Sequence, residues 1–443
     1  MSQSLLFASI ADDDTGASDL AGMLAEGGLR TLLFIDLPET EKLAELSRGY
    51  DAVVLAAGTR NLPPEVARER TRAAVRLARP LAPRVIQIKY CSTFDSTPEG
   101  NIGPSIDAAM EETGARFTVA LPALPVNGRT TYRGYHFVDG RLLSDSPLRE
   151  HPLTPMTNPD IVDLLSRQTA RRVGLAPYAE VEAGPERLEE CFRRLREEGV
   201  EIAVVDCLDD RHVETICRAS VDLGLVTGGS AFGMKFPEIF RERGWLSGRA
   251  EELDAPDTEA GGACLLVAGS CSVATRAQNE WLAARGAPVV PVDPRELLDE
   301  DFERASVVAQ TRAQLAAGRD CLLTTTAAPA DVRGAQEWGA GRGLKSSELG
   351  ERIAYALASV VLEILEGQRV GGLVVAGGET SGAVCRTLEL GALRVGHNIE
   401  PGVPLCLSLG RFRLPVVLKS GNFGGEDFYG RALDAAAHAE EYF

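Results

Sequence analysis

No run of apolar residues in the chain is long enough to cross a bilayer. The richest stretch, Ile353 to Leu365, is interrupted by Glu363, and a spanning helix needs roughly 20 such residues. The start, Met1 to Ile10, carries no basic segment and runs straight into Asp12, Asp13 and Asp14, so a secretory signal is not expected and a cytoplasmic location is. Positive charge is also scarce. With 46 Lys+Arg against 64 Asp+Glu the net charge is −18, which argues against a nucleic-acid partner, since binding phosphate backbones needs a basic face. The nine cysteines include no C-x-x-C pair, and the five histidines show neither H-E-x-x-H nor H-x-x-x-H spacing. Neither a disulfide framework nor a dedicated transition-metal site follows, and a reducing compartment does. No Gly-Lys dipeptide occurs, which excludes a Walker A loop. No G-x-G-x-x-G follows a strand, and Ser381 stands one place late for a G-x-S-x-G elbow.

What is present is a chain of 443 residues, 44% hydrophobic and 25% charged, long enough for two globular domains. Short apolar runs alternate with helical patterns. Strands are expected at Leu5 to Ile10, Thr31 to Ile35, Ala52 to Ala56, Val85 to Lys89, Phe117 to Ala120, Ile202 to Asp206 and Leu225 to Thr227. Helices are expected at Ala17 to Glu26, Pro64 to Ala78 and Ile102 to Glu112. Strand-helix alternation of this kind predicts parallel sheets. An acidic stretch without periodicity, 249–262, reads as a linker between a domain at 1–248 and another at 263–443, where the rhythm restarts. The fold class is α/β, with two α/β domains, mostly parallel sheets and a ligand cleft expected between them.

Polar residues cluster after three kinds of strand end. Asp12 and Asp13 follow the first strand, where carboxylates can accept a proton from a hydroxyl, while Asp14 or Thr15 could cap the next helix. Lys89 opens a run, Cys91 to Thr97, in which Ser92, Thr93 and Asp95 could address the hydroxyls of an acid held by the cation. The same run could equally be a turn bonded to its own backbone. Arg60 and Arg129 sit at similar junctions and could add charge or form surface ion pairs. Glycine-rich turns at Gly269-Ser270-Cys271-Ser272, Gly377-Gly378-Glu379-Thr380-Ser381-Gly382 and Lys419-Ser420-Gly421-Asn422 each follow an apolar run. They suit close approach to a phosphate at a helix amino terminus. Cys271 has no histidine near it in sequence and is not read as a nucleophile.

Together these segments resemble the four-carbon acid sugar kinase family along almost the whole chain. Within it the Cys91 to Pro104 stretch, Leu124 to Arg129 and His151 to Thr157 are similar to the 3-oxo-tetronate branch rather than the D-threonate and D-erythronate branches. The resemblance implies an amino-terminal domain for the acid sugar and a carboxy-terminal domain for ATP, which makes ATP with Mg²⁺ the expected cofactors. Carried over by position, it places ATP contacts on Ser270, Gly378, Glu379, Thr380, Ser381 and Gly421, with no metal-binding residue of the protein's own. Asp13, with Asp12 as partner, is the expected base. Arg60 and Lys89 are expected to hold the substrate carboxylate. Asp14 departs from the family pattern, which has an apolar residue there. The expected activity is phosphorylation of the acid's terminal hydroxyl; a D-threonate or D-erythronate kinase is the nearer rival, a non-catalytic sugar-acid sensor the remoter one, and homo-oligomerisation is left open.

Overall fold

A computed structural model describes residues 5–150, 154–246, 262–299, 302–325 and 329–443. Most of the expected linker, 249–261, and His151 to Leu153 lie outside them. The chain divides into two compact units, 1–251 and 252–443.

The first unit contains strands β1 (Phe7–Ala11), β2 (Thr31–Phe34), β3 (Ala52–Ala56), β4 (Val85–Lys89), β5 (Thr118–Leu121), β6 (Arg129–Tyr132), β7 (Tyr135–Val138), β8 (Arg141–Leu142), β9 (Val173–Ala176), β10 (Ile202–Val205) and β11 (Leu225–Gly228). Eight of them run parallel in the order β2-β3-β1-β4-β11-β5-β10-β9. Sequences such as AVVLA and IAVV are apolar at every position and buried at every position, as strands covered on both faces must be. Helix Pro64–Ala78 buries Ala67, Thr71, Ala74, Val75 and Ala78, the 3.6-residue stripe of a helix lying on a sheet. It packs with helix Ile102–Thr113, whereas helices Asp14–Glu26, Ala231–Glu242, Asp210–Ser220 and Pro185–Glu197 pack in succession as another group. Gly233 allows close approach there: a Cβ on it would stand 2.8 Å from Leu20 Cδ1.

A small antiparallel sheet, β6-β7-β8, is inserted after β5. It was not among the expected strands, although its turns carry a legible signal. Arg133-Gly134 and Asp139-Gly140 all have positive φ, the conformation of two-residue type I′ hairpin turns, for which Asp-Gly is a strong marker.

The second unit contains β12 (Leu265–Ala268), β13 (Val289–Pro291), β14 (Cys321–Thr324), β15 (Leu373–Ala376), β16 (Ala392–Glu400), β17 (Val403–Ser408) and β18 (Pro415–Lys419), ordered β13-β14-β12-β15-β18-β17-β16. The first five are parallel and the last two pairings antiparallel. Phe428, Tyr429, Ala432 and Ala435 of helix Phe428–Ala437 pack on Leu266, Val374, Leu405 and Val417. Both units open with one topology, the first strand lying between the third and the fourth. Each therefore has a switch point where successive helices diverge, the place where open α/β sheets bind ligands. All nine cysteines are free. Among the described residues no helix is long and apolar enough to cross a membrane.

Gly228 pairs with Leu121 where β11 meets β5, and a Cβ there would lie 2.2 Å from the Leu121 carbonyl oxygen. Backbone cannot yield there without parting two strands. Gly228→Ala is expected to destabilise the protein by about 1 to 3 kcal/mol, the usual cost of overpacking, seen as a lower urea midpoint with an unchanged slope.

Candidate functional site

At the first switch point, Ala11 pairs with Ala56 on one side and Lys89 on the other, so the residues that follow β1 and β3 meet the end of β4. Asp12 N–H donates to the Lys89 carbonyl at 2.9 Å, and Arg60 N–H donates to the Asp12 carbonyl at 3.0 Å. The side chains then close on one another. Arg60 grips Asp12 in a bidentate pair, Nε to Oδ2 and Nη2 to Oδ1 both at 2.9 Å, and reaches Asp13 Oδ1 at 2.8 Å. Its Nη1 lies 2.8 Å from Asp13 Oδ2. Asp13 Oδ1 also accepts the Gly16 N–H at 2.8 Å. The helix begins at Asp14 and its cap is Asp13, rather than Asp14 or Thr15. One carboxylate is thus both cap and candidate base. Burial raises its pKa above the ordinary range, opposed by Arg60 and reinforced by Asp12.

Lys89 is 3% exposed, its Nζ 3.4 Å from the Tyr90 carbonyl. It faces the first turn of helix Asp14–Glu26, where a Cβ on Gly16 would meet Nζ at 2.3 Å and Asp13 Oδ1 at 2.5 Å. Only glycine leaves that space open. A cation is poorly placed at a helix amino terminus, and Lys89 is offset there by carboxylates, Asp13 and Asp19 both feeling its charge. Asp19, which sequence reasoning missed, accepts a 2.5 Å hydrogen bond from Ser230, and burial raises its pKa despite Lys89.

The segment after Lys89 turns back on itself. Phe94 is fully buried with φ +53°, an outlier for a bulky residue and a sign of a strongly held loop. Its ring meets Tyr90 edge-on at 5.4 Å. Thr93 donates its hydroxyl proton to Asp95 at 2.5 Å, so the Cys91 thiol, 2.8 Å away, must donate to Thr93. Burial pushes that thiol up to about 11, against the pull of Arg60. Thr93 and Asp95 are thereby bonded to each other. Ser92 is held through its carbonyl, which accepts from His136 Nε2 at 2.8 Å. His136 Nδ1 then accepts from the Thr131 hydroxyl at 3.0 Å, and burial lowers the ring to about pKa 4. The inserted sheet thus fixes the loop through a neutral imidazole. Arg129, at its edge, lowers that pKa through its charge, and its own Nε is buried without a hydrogen-bond partner. Asn101, at the start of helix Ile102–Thr113, donates to the carbonyls of Thr59, Arg60 and Leu62 at 2.8, 3.1 and 2.9 Å. It pins the turn that carries Arg60.

At the second switch point, Ala376 pairs with Ala268 and Lys419, which brings the three glycine-rich turns side by side. Cβ atoms placed on Gly269 and Gly421 would stand 2.1 Å from Thr380 Oγ1 and Ser270 Oγ respectively. Gly377, at φ +125°, would present one 3.2 Å from Ser270 N. Thr380 thus lies against Gly269 and Gly377, and Ser270 against Gly377 and Gly421. Gly378 opens helix Gly378–Thr387, with Glu379 exposed in its first turn and Thr380 and Ser381 buried. Ser381 Oγ is buried with no hydrogen-bond partner, a group a ligand would satisfy. Cys271 is exposed. Among the described residues no group of three or more His, Cys, Asp or Glu could hold a metal.

Two α/β units, one presenting a carboxylate-guanidinium cluster and the other a glycine cradle at equivalent points, define a protein that handles a polar acceptor and a phosphate donor. Family models agree: a "Sugar-binding N-terminal domain" matches residues 7–236 and a "Nucleotide-binding C-terminal domain" matches 265–429. The chain belongs to the four-carbon acid sugar kinase family. It is 41% identical to the 3-oxo-tetronate kinase of Pseudomonas fluorescens over 98% of this chain and 97% of that one. With that of Cupriavidus necator it shares 40% identity over 97% and 96%. Among solved structures, a Haemophilus influenzae protein superposes with TM-score 0.77 at 34% identity, covering 96% of this chain and 98% of that one. A Salmonella typhimurium protein provisionally described as a tRNA synthase gives 0.82 at the same identity and coverage.

Two tests follow. Gly377→Ala forces an L-residue into a left-handed backbone inside the cradle, and calorimetry should show nucleotide affinity reduced tenfold or more, as an order of magnitude, with the fold intact. His136 binds its proton less readily folded (about 4) than unfolded (6.5). Stability should therefore drop as pH falls from 6.5 towards 4, by about 3 kcal/mol in total. His136→Gln removes that part of the acid sensitivity, measured as the difference between the two urea titrations.

Proposed function

We propose that the protein transfers the γ-phosphoryl group of ATP to the terminal hydroxyl of 3-oxo-tetronate, yielding the 4-phosphate. The observation that carries this reading is Asp13, a partly buried carboxylate of raised pKa held by Arg60 and a helix amino terminus beside a second carboxylate. Phosphoryl transfer asks a protein mainly for positioning and charge neutralisation, and a base of elevated pKa is better matched to a hydroxyl proton than an ordinary carboxylate. In this reading Asp13 orients or deprotonates the acceptor and Asp12 anchors Arg60. Arg60 turns Nε, Nη1 and Nη2 onto the two aspartates, which supports a role in aligning them. Lys89 and Arg129 are then the cations with donors to offer the substrate carboxylate, and Ser92 remains beside them. The nucleotide falls to Ser270, Gly378, Glu379, Thr380, Ser381 and Gly421. Mg²⁺ would arrive on the phosphates and keep several waters, its usual coordination in such sites.

The relatives named 3-oxo-tetronate kinase support 3-oxo-tetronate as the acid, and its ketone distinguishes it from the reduced acids. A ketone oxygen only accepts hydrogen bonds, so a donor placed for it leaves the hydroxyl of D-threonate or D-erythronate with an unpaired proton. Such a mismatch costs about 1 to 3 kcal/mol, roughly five- to 150-fold. A coupled ADP-release assay on all three acids under identical ATP and Mg²⁺ should give 3-oxo-tetronate the largest kcat/KM by that margin. A larger value for either reduced acid would move the substrate and leave the kinase, and no ADP release with any acid would favour a sensor. Asp13→Asn should lower kcat by about 100- to 10,000-fold with nucleotide Kd little changed. A near-normal kcat would remove Asp13 from the chemistry.

A further inference from the structure

Lys419 ends β18 with its side chain 2% exposed, and among the described residues no carboxylate pairs with it. Its Nζ donates to the carbonyls of Ser420 and Gly421 at 3.0 and 3.3 Å and lies 3.3 Å from Thr275 Oγ1. The Gly421 carbonyl also accepts from Thr275 Oγ1 at 2.9 Å and from Ser272 Oγ. Three side chains from two elements thus converge on one backbone oxygen. A buried cation is costly without an anion, and a peptide oxygen needs no more than two donors, so packing alone does not account for the arrangement. Its consequence is stereochemical. The Gly421–Asn422 peptide bond is trans, so the N–H of Asn422 points opposite to the Gly421 carbonyl, away from this inward network.

We propose that Lys419, with Ser272 and Thr275, is a positioning residue that draws the Ser420 and Gly421 carbonyls inward and leaves the Asn422 N–H facing a phosphate group of the nucleotide. Unclamped, the carbonyls could turn to the same surface and repel that phosphate, whereas successive amides facing outward form an anion-binding concavity. This rests on the nucleotide reading above. Burial alone lowers the Lys419 pKa, to about 8. Of the helices packed on β18, Gly378–Thr387 carries Glu379 and Arg386 and Phe428–Ala437 carries Arg431 and Asp434; helix Val273–Ala283, which supplies Thr275, carries Arg276 and Glu280, and the turn after Lys419 carries Glu426 and Asp427. None of these moves its titration. Phosphate favours the ammonium form, so affinity is full below about pH 8 and falls as pH rises through it.

The experiment is calorimetry on the full chain with ATP and, separately, adenosine, from pH 7 to 9.5. For the wild type the ATP Kd should rise by up to about tenfold per pH unit above 8, while adenosine binding stays flat. Lys419→Met should weaken ATP about tenfold or more at pH 7, abolish the slope and leave the KM for the acid unchanged. Lys419→Arg should keep the affinity and lose the slope. If Lys419→Met fails to fold, Thr275→Val, which removes one clamp donor, should weaken ATP and spare adenosine. A flat wild-type profile, or normal ATP affinity in a folded Lys419→Met, overturns the role of Lys419 alone. A wild type that binds no nucleotide at any pH overturns the nucleotide reading and this inference with it.

Discussion

The guanidinium of Arg60 holds the first unit's site in one geometry. Two carboxylates side by side repel, and burying them raises the cost further. A planar cation that bonds both, with fixed directions for its donors, turns that repulsion into a defined arrangement. The turn carrying Arg60 is in turn pinned by Asn101 through three carbonyls. Asp13 is oriented from the other side by Gly16 N–H. A candidate base is thereby held by a helix, a strand end and the residue preceding a second helix, which suits chemistry that depends on position more than on reactive groups.

The second unit solves a related problem with backbone instead of charge. Its cradle is made by the absence of side chains at Gly269, Gly377 and Gly421, where added Cβ atoms would collide with Thr380 or Ser270. Its polar groups are mainly hydroxyls and amides, with Glu379 in the helix's first turn and Lys419 buried beneath the Gly421 turn. The same strand arrangement serves both units, the first strand lying between the third and fourth, and what differs is the chemistry of the residues placed just past the strand ends. Fold sets where ligands can bind and local sequence sets which ones.

The acidity of the chain bears on the identity of its ligands. A net charge of −18 is unsuited to a large polyanion. It is compatible with small anions, because cations need be concentrated only at the sites. Arg60 and Lys89 lie at the first unit's candidate site with Arg129 near His136, and Lys419 lies at the second unit's.

The strand-helix alternation, the parallel sheets, Asp12, Asp13, Arg60 and Lys89 as neighbours, and three adjoining glycine turns were legible from sequence. Each follows from local rules: apolar runs too short for helices, period-3.6 stripes, and polar residues where strands end. Several strand and helix limits, including Ala52–Ala56, Val85–Lys89 and Pro64–Ala78, coincide with those expected. The inserted sheet was readable in principle at Asp139-Gly140 but was not recognised, because its strands are short and mostly polar. Other features depended on the folded conformation, within a single turn or between residues far apart in the chain. Asp13 as cap in place of Asp14, Thr93 turned onto Asp95, neutral His136 fixing the Ser92 carbonyl, Asp19 bonded to Ser230 and Lys419 facing only neutral acceptors are of this kind. Hydrogen-bond partners and pKa values are set by burial and by distances of a few ångströms, and the order of residues along a chain does not contain those until the chain has folded.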